Sequence, residues 1–141
     1  MRLAIGALLL CATVVFAAEI APSAPAGWPR FRGPLQTGVA VDPLPDKLSL
    51  LWTFDAKSAI EGTAAISGGK VFIGCADNAL FALRLSDRSV LWKAATQGAV
   101  KASPCVSDGR VYVGDAEGVF AAFDAATGER LWELKAQNEI I

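Results

Sequence analysis

Ser67-Gly68-Gly69-Lys70-Val71-Phe72-Ile73-Gly74 returns as Ser107-Asp108-Gly109-Arg110-Val111-Tyr112-Val113-Gly114, an offset of 40 residues. Four positions are identical, and Lys70/Arg110 and Phe72/Tyr112 are conservative matches in the same frame. Outward from this stretch the frame persists. Leu51-Trp52, Leu91-Trp92 and Leu131-Trp132 share it without a gap. So do Ile60, Val100 and Ile140, Thr63 and Ser103, Ala76 and Ala116, and Ala82 and Ala122. A fixed period near 40 made of β-type residues reads as one four-stranded propeller blade per repeat. A blade cannot bury both of its faces alone, so each needs a neighbour.

The second repeat shows the strands best. Ala102–Ser107, Arg110–Asp115, Val119–Asp124 and Glu129–Ala136 are short apolar runs separated by turn residues. Asp108-Gly109 suits a two-residue hairpin with positive φ, Glu117-Gly118 turns again, and Thr127-Gly128 closes the third connection. In the first repeat Gly68-Gly69 and Asp77-Asn78 take the same places. The fold class is therefore all-β, with two four-stranded antiparallel blades over about residues 61–96 and 101–136. Leu48–Ala56 carries Trp52 and matches a fourth strand, so it is expected to be an outer strand completing another sheet. The expected partial propeller thus covers 48–141. Even a four-bladed ring needs about 160 residues of repeats, which leads to the expectation that this is a piece of a longer protein. A ring assembled from several copies is the alternative.

Residues 1–18 read as a secretory signal: Arg2, an apolar run from Leu3, and small residues at Ala17 and Ala18. The run is shorter than a membrane helix wants, so no stable span is expected after cleavage. Leu10 stands before Cys11 where lipid-attachment signals have a small residue, so lipidation is not expected. Residues 19–47 are rich in Pro, Ala and Gly and read as an extended lead-in rather than a packed element. The implied location is periplasmic or secreted.

Thirteen basic residues face 14 acidic ones, with no long basic run, so nucleic-acid binding has no electrostatic footprint. The chain has no histidine, which removes the usual general base and the commonest metal ligand. Cys75 and Cys105 occupy non-equivalent places in the repeat and read as small buried apolar residues, although an exported setting permits a disulfide. The carboxylates Asp77, Asp87, Asp108, Asp115, Glu117, Asp124 and Glu129 lie mostly at turns, where capping or solvation accounts for them.

Ala122-Phe-Asp124-Ala-Ala-Thr127-Gly128-Glu-Arg-Leu-Trp132 resembles the tryptophan-docking repeat of quinoprotein-type (PQQ-like) β-propellers, Ala-x-Asp-x-x-Thr-Gly-x-x-x-Trp. The resemblance implies that each tryptophan, here Trp52, Trp92 and Trp132, wedges against a neighbouring blade's turn. Asp124 is suited to accept backbone N–H groups in that turn. The first repeat keeps Ala82 and Trp92 but has Arg84 for the aspartate and Asp87-Arg88 for Thr-Gly, so a different turn shape is expected there. The lead-in Trp28-Pro-Arg30-Phe31-Arg32-Gly33-Pro34 looks like the start of secreted PQQ-like propeller proteins of planctomycete-type bacteria, and is expected to be an arm docked on the propeller.

Three functions follow as expectations from the resemblance. One is a fragment of a PQQ-dependent dehydrogenase, implying a quinone, a calcium ion held by Glu, Asn and Asp, and often adjacent cysteines, which this chain lacks. The second is an outer-membrane protein assembly propeller. The favoured one is a non-catalytic exported binding or scaffold module with no cofactor and no metal, whose partner is an unidentified protein or small molecule.

Overall fold

The computed structural model describes residues 27–39 and 46–141. The secretory signal and the lead-in up to residue 26 lie outside the described residues. Within them the chain forms nine strands and no helix. β1 is Gly27–Trp28, β2 Ala65–Ser67, β3 Lys70–Cys75, β4 Ala79–Arg84 and β5 Val90–Ala95. β6 is Cys105–Ser107, β7 Arg110–Gly114, β8 Val119–Asp124 and β9 Arg130–Lys135.

Two antiparallel meanders result, β2 to β5 and β6 to β9, with β1 added to the edge of the first. Each expected turn falls where the sequence places it. Gly68-Gly69 and Asp108-Gly109 both have two consecutive positive φ values, the twist that matches a two-residue hairpin. The two blades repeat each other even in their defects. A register shift follows Ala82 in the first and Ala122 in the second.

Alternation along the strands sends one face of blade one against blade two. Phe72, Leu80, Ala82 and Trp92 meet Val106, Val111, Val113, Val119, Ala121 and Phe123 in one buried cluster. The opposite face of blade one, Val71, Ile73, Cys75, Phe81 and Leu83, is covered by Trp52, Phe54 and Ala56.

That cover corrects one expectation. Leu48–Ala56 is not a strand. It has no ladder partners: Trp52, Phe54 and Ala56 lie against the blade's outer face, while Leu48, Leu50 and Leu51 stay exposed. Phe54 packs edge-on to Phe81 with ring centroids 5.4 Å apart, and the Arg88 side chain donates from Nη1 to the segment's backbone at Thr53 O, at 3.2 Å. The arm from Gly27 packs on the blades, as expected of Trp28–Pro34, although the composition of 19–47 reads as unpacked. Trp28 pairs with Ile66 in β1–β2, and Val106 N–H donates to Pro29 O at 2.7 Å, so the arm bridges the inner strands of both blades.

The shared frame of Ile60, Val100 and Ile140 has a packing cause. Val100 lies 1% exposed, in a space that a side chain on Gly74 would fill: a Cβ there would stand 2.1 Å from Val100 Cγ1. Ile140 sits over Gly114 in the same way, with 2.2 Å to its Cγ2. Val100 N–H donates to Cys75 O and Ile140 N–H to Asp115 O, the same bond one repeat apart. The chain leaving each blade therefore locks back onto that blade's second strand. Near the inner strands, equivalent residues touch directly: Thr63 Oγ1 lies 2.9 Å from Ser103 Oγ.

Candidate functional site

The tryptophan motif forms the junction between blades. Trp92 leaves β5, lies 8% exposed, and donates from Nε1 to Ala125 O at 3.3 Å in the last turn of blade two. Its ring lies against Gly128, where a Cβ would come within 2.6 Å of Cδ2. Gly128 has φ 76°, so the turn needs a residue that tolerates the left-handed region, and the tryptophan needs one without a side chain. Trp52 makes the same bond one repeat earlier, Nε1 to Leu85 O at 2.8 Å. Each donor and acceptor are 33 residues apart. Trp132 has no such partner among the described residues and is 39% exposed.

The alanine of the motif is explained by register. Phe72, Ala82 and Trp92 lie side by side across β3, β4 and β5, as Tyr112, Ala122 and Trp132 do across β7, β8 and β9. A methyl group in the middle lets the flanking rings approach over it, to 5.8 Å for Phe72–Trp92 and 6.0 Å for Tyr112–Trp132. Phe120 joins the second set, leaving an aromatic cluster on the far face of blade two.

Asp124 accepts from Ala126 N–H, Thr127 N–H and Thr127 Oγ1 at 2.8 to 3.1 Å. The Thr127 N–H, then the Ala126 N–H and the Thr127 hydroxyl, hold its carboxyl below the usual carboxylate range. The divergent first-repeat turn was expected to differ in shape and does not. Arg88 N–H donates to Arg84 O and Arg84 N–H to Ser89 O, matching Gly128 to Asp124 and Asp124 to Glu129. Arg88 takes the left-handed φ, 61°, in place of the glycine. The aspartate has moved three positions: Asp87 Oδ1 accepts from Ser89 N–H and Ser89 Oγ, and Oδ2 from Arg84 Nη1. The Ser89 hydroxyl, the Ser89 N–H and Arg84 lower the Asp87 carboxyl to about 2. Backbone geometry is thus retained while the capping side chain changes place.

Asp115 is the residue that sequence reasoning underrated. It is 2% exposed, and both of its oxygens are engaged by main-chain donors. Oδ1 accepts from Glu117 and Val119, Oδ2 from Gln97 and Gly98, all at 2.9 to 3.2 Å. It pins the connection out of blade one to the central hairpin of blade two. Its counterpart in the repeat is Cys75, so the period gave no signal; the Asp-Ala-Glu-Gly turn was the only hint.

Both cysteines are free: Cys75 is buried, as expected, and Cys105 is half-buried beside the arm. Arg30, Phe31 and Arg32 of the arm, with Gln36, Ser103 and Cys105, line an open cleft of about 410 Å³.

Residues 39–140 match the family model for outer membrane protein assembly factor BamB. Among solved structures, BamB from Moraxella catarrhalis is similar at 24% identity and a TM-score of 0.59, over 63% of this chain and 28% of that one. A quinohemoprotein alcohol dehydrogenase from Comamonas testosteroni is similar at 23% identity and a TM-score of 0.56, over 62% of this chain and 15% of that one. A quinohemoprotein alcohol dehydrogenase from Pseudomonas putida HK5 is similar at 27% identity and a TM-score of 0.54, over 60% and 14%. The chain therefore spans well under a third of the length of these proteins. Comparison with curated proteins gives no match. With the repeat matched across both blades and the tryptophan junction formed between them, the chain belongs to the outer membrane protein assembly factor BamB family of PQQ-like β-propeller repeats.

Proposed function

We propose that this chain is part of a non-catalytic, exported β-propeller that binds or scaffolds a partner in the periplasm or outside the cell. The observation that carries this reading is how the carboxylates are used. Asp115, the buried one, accepts four main-chain N–H groups, and Asp124 and Asp87 accept from their own turns. An aspartate committed in this way has little capacity left to act as a base.

The dehydrogenase resemblance implies a PQQ and calcium pair. Among the described residues no three His, Cys, Asp or Glu side chains come together as a metal site. Export is supported by the apolar leader read over residues 1–18 and by the family. Among the described residues no helix is long and apolar enough to cross a membrane.

The family match favours one form of this reading over others: a role in outer membrane protein assembly. Two measurements test these readings. The chain supplied with PQQ and calcium is expected to reduce no dye acceptor above background with alcohols or sugars. Turnover that disappears in Asp115→Asn overturns the non-catalytic reading. Coprecipitation with an unfolded outer-membrane β-barrel protein is expected under the assembly reading, and its absence removes that form while leaving the scaffold reading to other partners.

A further inference from the structure

The arm carries two arginines that the fold does not consume. Arg30 and Arg32 contribute to the cleft of about 410 Å³, and none of the other lining residues is a carboxylate. Among the described residues neither arginine forms an ion pair. Arg30 Nε is buried without a hydrogen-bond partner.

Backbone hydrogen bonds fix the path of the arm at both arginines. Gly33 N–H donates to Arg30 O at 3.0 Å and Gly38 N–H to Arg32 O at 2.9 Å. Arg32 and Gln36 both sit in the left-handed region, at φ 64° and 57°. Two such residues in one short arm is backbone strain, which persists only where the surroundings over-determine it. Opposite the arm, Ser103 Oγ accepts from Thr63 N–H and Thr63 Oγ1, so its own proton is free to donate. Phe31, 61% exposed, adds an apolar rim.

From two guanidinium groups without ion pairs, a hydroxyl and an amide around one cleft, we infer that it binds a small molecule bearing an oxyanion, a carboxylate or a phosphate. Guanidinium forks match both groups through paired N–H donors. This site is independent of the scaffold reading, since the arm and not the tryptophan junction forms it.

Cys105 lines the same cleft, whereas Cys75 is buried, so alkylation by the neutral reagent iodoacetamide, read peptide by peptide in a mass spectrometer, reports occupancy. The full chain is titrated with citrate and, separately, with inorganic phosphate. Saturable slowing of Cys105 alkylation is expected with at least one of them. Citrate alone assigns a carboxylate, phosphate alone a phosphoryl group, and both a general oxyanion site.

Arg32→Gln, on an exposed side chain, is expected to leave Tm unchanged without anion and to raise the half-saturating concentration about tenfold. Arg30→Lys keeps the charge, loses the fork and is expected to weaken binding similarly. If Arg30→Lys does not fold, Arg32→Gln decides alone. Alkylation unaffected by either anion up to about 10 mM, or protection undiminished in Arg32→Gln, overturns the proposal.

Discussion

Gly128 and Gly109 separate two effects that sequence alone merges. Both have positive φ, 76° and 72°. A Cβ on Gly109 meets open space, while one on Gly128 meets the Trp92 ring. Gly109→Ala is therefore expected to cost only the left-handed penalty, about 1 kcal/mol. Gly128→Ala adds displacement of a buried tryptophan and is expected to cost about 3 kcal/mol or more. Urea unfolding of both variants checks this, and equal losses would show that Trp92 does not dock on the turn. Arg88 shows why the turn could not be judged from residue identity. The backbone path is set by the ladder on either side and by the bulge after Ala82, so an arginine is forced into a conformation that glycine takes freely. Asp115 was misjudged for a related reason. Half of its partners come from Gln97 and Gly98 on the connection out of the neighbouring blade, which no local pattern reveals.

At the scale of elements, the last turn of each blade is a charge-capped unit with a defined pH response. Asp87 is lowered to about 2 from an ordinary 3.8, and Asp124 is lowered as well. A carboxyl with a lower pKa folded than unfolded stabilises fully above its unfolded value and loses that contribution as pH falls through its folded value. The Tm gap between the wild type and Asp87→Ala/Asp124→Ala is expected to be constant above about pH 5 and to close toward about pH 2. Both side chains are exposed, so the gap is small and shrinks with salt. A gap that widens on acidification would contradict the capping account. The strands and turns of 61–136 were legible because alternation and turn chemistry are local. Leu48–Ala56 was not, because strand pairing needs a partner edge. The segment has the tryptophan of a fourth strand and makes that strand's side-chain contacts without its ladder. β1 was invisible for the opposite reason: two residues of an arm pair with β2 with no pattern of their own.

The whole molecule is a stack whose junctions follow one rule, in which a tryptophan docks on the last turn of the next blade. Blade one is closed on both faces, by blade two and by the Trp52 segment. Among the described residues nothing covers the far face of blade two. Leu131, Trp132 and Leu134 are 44%, 39% and 64% exposed, beside Tyr112 and Phe120. An exposed apolar face next to a β9 edge without a ladder partner among the described residues favours association. Indole N–H exchange in ¹⁵N-tryptophan-labelled chain, measured across a dilution series with light scattering to report size, tests the docking rule most directly. Trp92 is expected to be the slowest at every concentration. Trp132, identical in sequence frame, is expected to exchange at the unprotected rate in the dilute monomer and to gain protection only as the chain associates. A dilute monomer in which Trp132 is as protected as Trp92, or in which Trp92 exchanges freely, would contradict the account.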